Sequence, residues 1–177
     1  MSRAAVQLGA NDFAKASQEG IQFVESMRLL AGAVCVIATQ HEGRRAGLTA
    51  TAVTSFSAEP PEILVCVNRS ASAYNSLLAS KVFSVNILRA DNVPIAKRFA
   101  GADGCAGEAR FAEAGWEYLE TGVPCLKDAL VSLDCRLSHL VERNDHAVLI
   151  GAVVATAIRS GEPLLYAQKR FHTLAEV

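Results

Sequence analysis

The 177-residue sequence lacks most of the features that assign a chain quickly. It contains no G-x-G-x-x-G, no G-x-x-x-x-G-K followed by Ser or Thr, and no H-E-x-x-H. The dinucleotide fingerprint, the phosphate loop and the zinc-protease helix are therefore missing. Its five cysteines (35, 66, 105, 125 and 135) include no C-x-x-C pair, and their odd number suits free thiols in a reducing compartment better than a disulfide framework. The four histidines (41, 139, 146 and 172) are not paired by short spacing, so no metal site is expected. Asp145 and His146 are adjacent, which in a strand turns their side chains to opposite faces and argues against a relay with a serine. Excess charge is missing too: 17 basic residues against 18 acidic ones leave no basic field for nucleic acid or an anionic membrane. Aromatics are few, at 6%, and are not interleaved with a basic stripe. The opening MSRAAVQLGANDF lacks the apolar run of a signal peptide, and no segment reads as a membrane span. A soluble cytoplasmic protein is expected.

What the chain does have is apolar residues, 51% of the total, with only 20% charged. That balance implies a large core, or a surface covered by another subunit. Residues 1–17 read as an extension and 18–177 as one domain. EGIQFVESMRLLA carries an amphipathic helix signal, ended by Gly32. AVCVIAT (33–39) is a β-branched strand, HEGRR (41–45) a hairpin turn, and RAGLTATAVTSF (45–56) its partner strand. After Pro60-Pro61, EILVCVN (62–68) is a further strand, and RSASAYNSLLAS a short helix with Ser70 or Ser72 as its cap. KVFSVNIL (81–88) is a strand, and DNVPIAKRFAG a short helix with Pro94 near its start. The glycine-rich GADGCAGEARFAEAGWEY lacks periodicity and predicts a mobile, lid-like excursion. ALVSLDCRLSHLVER (129–143) alternates Val131, Leu133, Cys135 and Leu137 against Ser132, Asp134, Arg136 and Ser138, as a half-buried strand does. Asn144-Asp145 turns it into HAVLIGAVVATAI (146–158), in which Gly151 marks a bulge or close contact. A last short strand falls at 164–166. Five to seven strands joined by turns, with two or three short helices, point to an antiparallel barrel and away from a doubly wound sheet.

Two stretches carry the chemistry. In RAGLTATAVTSF a two-residue repeat puts Gly47, Thr49, Thr51, Val53 and Ser55 on one face. Little bulk, several hydroxyls and exposed backbone would accept a flat, polar-edged ring and its phosphate. The same pattern also suits a half-buried strand packed on the N-terminal helix. In VNRSASAYNSLL, Asn68, Arg69, Ser70 and Ser72 stand where a strand passes into a helix, a place that welcomes an anion. A plain helix cap and a solvated arginine would look alike there.

With these stretches in hand, the chain resembles the short-chain flavin reductases: split-barrel, FMN-binding proteins that serve as the flavin reductase component of two-component monooxygenases. GAVCVIAT, RAGLTATAVTSFSAEPPEILVCVNRSAS, KVFSVNIL, NDHAVLIGAV and PLLYAQKRFH carry the resemblance, in that order, over about residues 19–174. Asn144 stands where such families have glycine before the Asp-His pair. The resemblance implies a mainly β fold: a split antiparallel β-barrel of Greek-key type with short peripheral helices, paired as a homodimer. It implies hydride transfer from NADH or NADPH to FMN or FAD, with reduced flavin passing to a partner monooxygenase. It places Thr49, Ala50 and Thr51 against the flavin, Ser55 toward its polar side, and Asn68, Ser70 and Ser72, with Arg69, around the phosphate. Phe83 and Asn86 would stand near the groove, and Lys97, Arg98 or Phe99 would close it. His146 would place the nicotinamide, with Tyr166 and Phe171 at the border; Phe83 and Phe171 suit a core equally well. Two other readings share the barrel: a flavin-bound reductase of a corrinoid or ferric centre, and a non-enzymatic flavin- or haem-binding module.

Overall fold

The computed structural model describes residues 18–176. The extension expected over 1–17 lies outside the described residues. Helix α1 (Gln18–Met27) leads into strands β1 (Gly32–Ala33) and β2 (Cys35–His41). Glu42 and Gly43, both at positive φ (50° and 75°), make the tight turn that the HEGRR stretch predicts. Strand β3 (Arg44–Ala50) pairs antiparallel with β2. The chain continues through β4 (Val53–Ala58), β5 (Pro61–Asn68), α2 (Tyr74–Ser80), β6 (Val82–Ile87) and α3 (Val93–Phe99). Strands β7 (Trp116–Tyr118) and β8 (Pro124–Leu126) form a small ribbon. The long hairpin β9 (Val131–Arg143) and β10 (His146–Ile158) follows, and then β11 (Leu165–Ala167) and β12 (Arg170–His172).

The main sheet has seven strands in the order β3-β2-β6-β9-β10-β5-β4, every pairing antiparallel. RAGLTATAVTSF is not one strand, as its alternation predicts, but two: β3 and β4 occupy opposite edges, joined only by Thr51 and Ala52. In a flat sheet those edges would stand about 29 Å apart, at ~4.8 Å per strand. Three residue steps can span only about 11 Å. The sheet must therefore curl until its edges meet at residues 51–52, where the Cys66 amide donates to the Ala52 carbonyl at 2.9 Å.

The curl explains the burial. Cys35 and Ile37 of β2 face one core with Val65, Val67, Phe83, Val85, Cys135 and Leu149, closed by Tyr74 and Leu77 of α2. Val34, Val36 and Ala38 face a second core with Leu88, Phe99, Phe111, Leu126 and Leu164. Apolar on both sides, β2 reads as an unbroken hydrophobic run. The bulge foreseen at Gly151 is present, with a register shift between Ile150 and Gly151. A Cβ there would stand 2.5 Å from Phe83 Cζ, so the strand and the ring touch only because glycine intervenes.

Three local expectations need correction. No side chain caps α2, and its flanking residue is Ala73; Asn68 instead closes a turn, accepting from the Ser70 amide (2.8 Å) and hydroxyl (2.7 Å), which delays the helix. The first part of β9 is not half-buried as its alternation predicts: Ser132 and Asp134, on the polar side of the pattern, are both fully buried, Ser132 donating to the Leu126 carbonyl (3.2 Å) and Asp134 accepting from the Thr121 amide (2.8 Å). The glycine-rich excursion is packed, not lid-like. Phe111 is buried against Phe99 and Trp116, with ring centroids 5.0 and 4.8 Å away, and Arg110 donates to the carbonyls of Gly47 and Cys105.

Candidate functional site

A cleft of about 310 Å³ opens beside the meeting of the sheet edges. Thr49, Ala50 and Thr51 form one wall, and Ala96 and Lys97 of α3 another. Tyr166, Lys169 and Phe171 close the third side, with the Tyr166 and Phe171 rings edge to face at 5.2 Å. Thr49 Oγ1 donates to the Ala96 carbonyl at 2.7 Å and so ties α3 to β3. Small Ala100 and Ala102 complete the mouth, beyond which Arg98 grips Asp103 (2.8 Å) and Glu113 (2.7 Å). Among the described residues no carboxylate lines the cleft.

Thr51 also belongs to a second hollow of about 570 Å³, lined by Met27, Leu30, Ala52, Val53, Leu64 and Cys66. A third, of about 600 Å³, is lined by Asn68, Arg69, Ser70, Tyr74, Asn144 and Asp145. Strand β5 links the last two. Ile63, Val65 and Val67 are buried, so Leu64, Cys66 and Asn68 alternate onto the opposite face. Asn68 lies about 7 Å beyond Cys66 along the strand, at ~3.4 Å per residue. His146 pairs with Asn68 across β5 and β10 and shares that face. Its Nδ1 lies 2.9 Å from Asp145 Oδ1, and this contact, first among the causes, holds the Asp145 carboxyl below the usual carboxylate range. Tyr74 donates to Glu142 at 2.5 Å, a bond that raises the phenol above its ordinary value.

The predicted site residues thus divide. Thr49, Ala50, Thr51, Tyr166 and Phe171 meet in the cleft. Asn68, Arg69 and Ser70 meet in the third hollow; Ser72 is exposed nearby in the chain, and His146 stands one strand over. Arg69 is engaged, 3.4 Å from Glu142 and donating to the Asn144 carbonyl at 3.0 Å. Ser55 is exposed on β4 and lines none of the three hollows. Phe83 and Asn86 stand elsewhere: both are fully buried, Phe83 in the first core. Asn86 donates to the Val36 carbonyl (3.0 Å) and accepts from the Leu126 amide (2.7 Å), so its amide is consumed in joining three strands. Phe99 is buried below the cleft, and a Cβ on Gly47 would lie 2.8 Å from its Cε1. Arg98 braces the mouth through its carboxylate partners and is not a lining residue. Sequence reasoning missed Cys66 and Lys169. The face alternation of EILVCVN could have found the first, and two residues between short strands the second.

Residues 27–175 match the family model of the flavin reductase like domain. The chain belongs to this family. The domain is 41% identical over 160 residues to an FMN reductase (NADH) RutF of Agrobacterium fabrum, covering 90% of this chain and 91% of that one. Among solved structures it is similar to flavin reductase PheA2, with a TM-score of 0.81, 32% identity, and 88% and 98% of the two chains covered. It is also similar to BorF, the flavin reductase component of a bacterial two-component tryptophan halogenase, with a TM-score of 0.80, 27% identity, and 89% and 99% covered. This flavin reductase-like domain is mainly β-sheet with short peripheral helices, and no helix among its described residues is long and apolar enough to cross a membrane.

Proposed function

We propose that this enzyme is an NAD(P)H-dependent flavin reductase that supplies reduced FMN or FAD to a separate monooxygenase. The observation that carries the reading is that two hollows meet at one residue, Thr51. Two ring systems held side by side is what a direct transfer between them needs. When both nucleotides are bound, the nicotinamide supplies a hydride and the flavin ring accepts it. The protein's part is placement. Ala50 and Thr51 offer backbone and a hydroxyl with little bulk, and Tyr166 and Phe171 offer an aromatic border. Asn68, Ser70 and Ser72 supply a polar far end, beside which His146 is assigned positioning of the nicotinamide nucleotide. These residues fit a nucleotide: among the described residues the cleft combines apolar rings, hydroxyls and lysines without an acid. BorF is one component of a two-component system, and by that likeness the reduced flavin is assigned to a partner protein.

The curled sheet, whose edge strands β3 and β4 meet without pairing, is read as a split β-barrel of Greek-key type, with 18–177 as one domain and 1–17 as its extension. No residue of α1 is buried, and Ile21, Phe23, Val24, Met27, Leu29 and Leu30 are all exposed, which supports a homodimer covering that face. Free cysteines suit the cytoplasm. The deciding assay is NADH and NADPH consumption by the purified protein with FMN, FAD, riboflavin or no flavin. Flavin-dependent consumption is expected, and no consumption with any flavin sinks the reading.

A further inference from the structure

We propose that Lys97 and Lys169 together bind a nucleotide phosphate in the cleft, an assignment that rests on the flavin reductase reading and adds to it the residues that recognise the anion. The two lysines come from different elements, α3 and the turn between β11 and β12, yet both residues line the same cleft. Neither lysine side chain has a hydrogen-bond or ion-pair partner among the described residues. Arg98, next to Lys97, differs: it is taken by Asp103 and Glu113. Two unpaired cations over a wall without a carboxylate form a site for an anion, and a phosphate between them relieves their mutual repulsion.

The backbone that carries each lysine is anchored by a hydrogen bond at the neighbouring residue. Thr49 Oγ1 holds the Ala96 carbonyl, next to Lys97, at 2.7 Å. The Gln168 amide donates to the Arg28 carbonyl at 2.6 Å and anchors the turn that carries Lys169. Gln168 and Lys169 both have positive φ, 50° and 61°, in a turn that Asn-Gly would adopt with less strain. The polar end beside Asn68 is a weaker anion site, because Arg69 faces Glu142 at 3.4 Å and Asp145 lines the same hollow. The phosphate has two possible sources, the FMN phosphate or the pyrophosphate of the nicotinamide dinucleotide.

The test uses the full chain with Lys97→Gln, Lys169→Gln and the double variant. Fluorescence titration gives the affinities for FMN and riboflavin, and steady-state kinetics with riboflavin as acceptor gives the KM for NADH. Each single variant is expected to weaken the phosphate-bearing ligand about ten- to a hundredfold, as for one charge-assisted hydrogen bond, and the double variant more. Lys→Arg at either position is expected to restore most of the loss. A loss for FMN with riboflavin unchanged assigns the flavin phosphate; a raised NADH KM with both flavin affinities unchanged assigns the pyrophosphate. Equal losses for FMN and riboflavin with an unchanged NADH KM, or no change in any of the three, overturns the proposal. Lysine-dependent preference for FMN over riboflavin in a protein that consumes no NADH sinks the reductase reading and leaves the phosphate site standing.

Discussion

Thr49 Oγ1 donates to the carbonyl oxygen of Ala96 at 2.7 Å, so a hydroxyl that the sequence aims at a ligand is engaged in holding α3 against β3. Thr49→Val keeps the shape and removes the bond. A loss of about 1 kcal/mol in urea denaturation is expected, the net value of one such bond. Weaker FMN binding by titration should accompany it, because Lys97 rides on the same helix. Thr49→Ser is expected to retain both properties. Unchanged flavin affinity in Thr49→Val would mean that α3 keeps its place without the bond.

Two glycines separate stability from site geometry. A Cβ at Gly151 would meet Phe83 Cζ at 2.5 Å, and one at Gly47 would meet Phe99 Cε1 at 2.8 Å and the Ile37 carbonyl oxygen at 2.9 Å. Alanine at either position is expected to cost about 1–3 kcal/mol by overpacking. Only Gly47→Ala should also weaken flavin binding, since Phe99 is the last residue of α3. Denaturation midpoints paired with flavin titrations check this, and equal effects of the two variants on binding would refute it.

His146 stands on the face of the third hollow, away from the walls of the cleft. His146→Ala is therefore expected to raise the KM for NADH several-fold while leaving FMN affinity within twofold. Varying each substrate separately measures both. An unchanged nicotinamide KM removes His146 from the site.

Much of the architecture was legible from period and punctuation. Asn144-Asp145 between two β-branched runs foretold the β9–β10 hairpin, and Gly151 its bulge. The division of RAGLTATAVTSF was hidden, because alternation continues across Thr51-Ala52 and only the distant strand order shows that the chain changes edges there. The burial of Ser132 and Asp134 was hidden for a related reason. A polar residue on a strand reads as exposed unless its partner is known, and Thr121 and Leu126 lie far off in the pattern. In the site, the small polar stretch pointed to the cleft, whereas Phe83 and Asn86 share strand β6 and were credited to the groove by resemblance alone.

The cysteines should differ sharply in reactivity. Burial pushes the thiols of Cys35 and Cys135 up to about 12, and burial with nearby Asp134 and Glu117 does the same for Cys125. Cys66 and Cys105 are only partly buried. Alkylation of the native protein near neutral pH is expected to label Cys66 and Cys105 alone, as read by peptide mass mapping. Saturating FMN should slow labelling of Cys66, which lines the second hollow, more than that of Cys105. Equal slowing at both thiols would place the ligand elsewhere.

Acid should loosen the mouth of the cleft before neutral or alkaline conditions do. The hydrogen bond from Arg98, aided by the Cys105 amide, holds the Asp103 carboxyl below its ordinary 3.8. A depressed folded-state value contributes stability that is complete above 3.8 and is lost as pH falls through the lower folded value. Hydrogen exchange over residues 100–105, followed downward in pH, should rise only below that point after correction for the intrinsic rate. Asp103→Asn removes the titration, and an identical acid profile in that variant would show that another group controls the mouth.

The packed excursion has a further effect, on solubility. Along the free side of β3, the Arg45 amide donates to the Glu108 carboxylate at 2.8 Å and the Gly47 carbonyl accepts from Arg110 at 3.1 Å. Side chains from the excursion thus occupy backbone groups that a terminal strand would otherwise present to another molecule. The same residues that narrow the mouth of the cleft deny neighbouring copies a template for strand addition, so shortening the excursion to widen the cleft would also expose an aggregation seed.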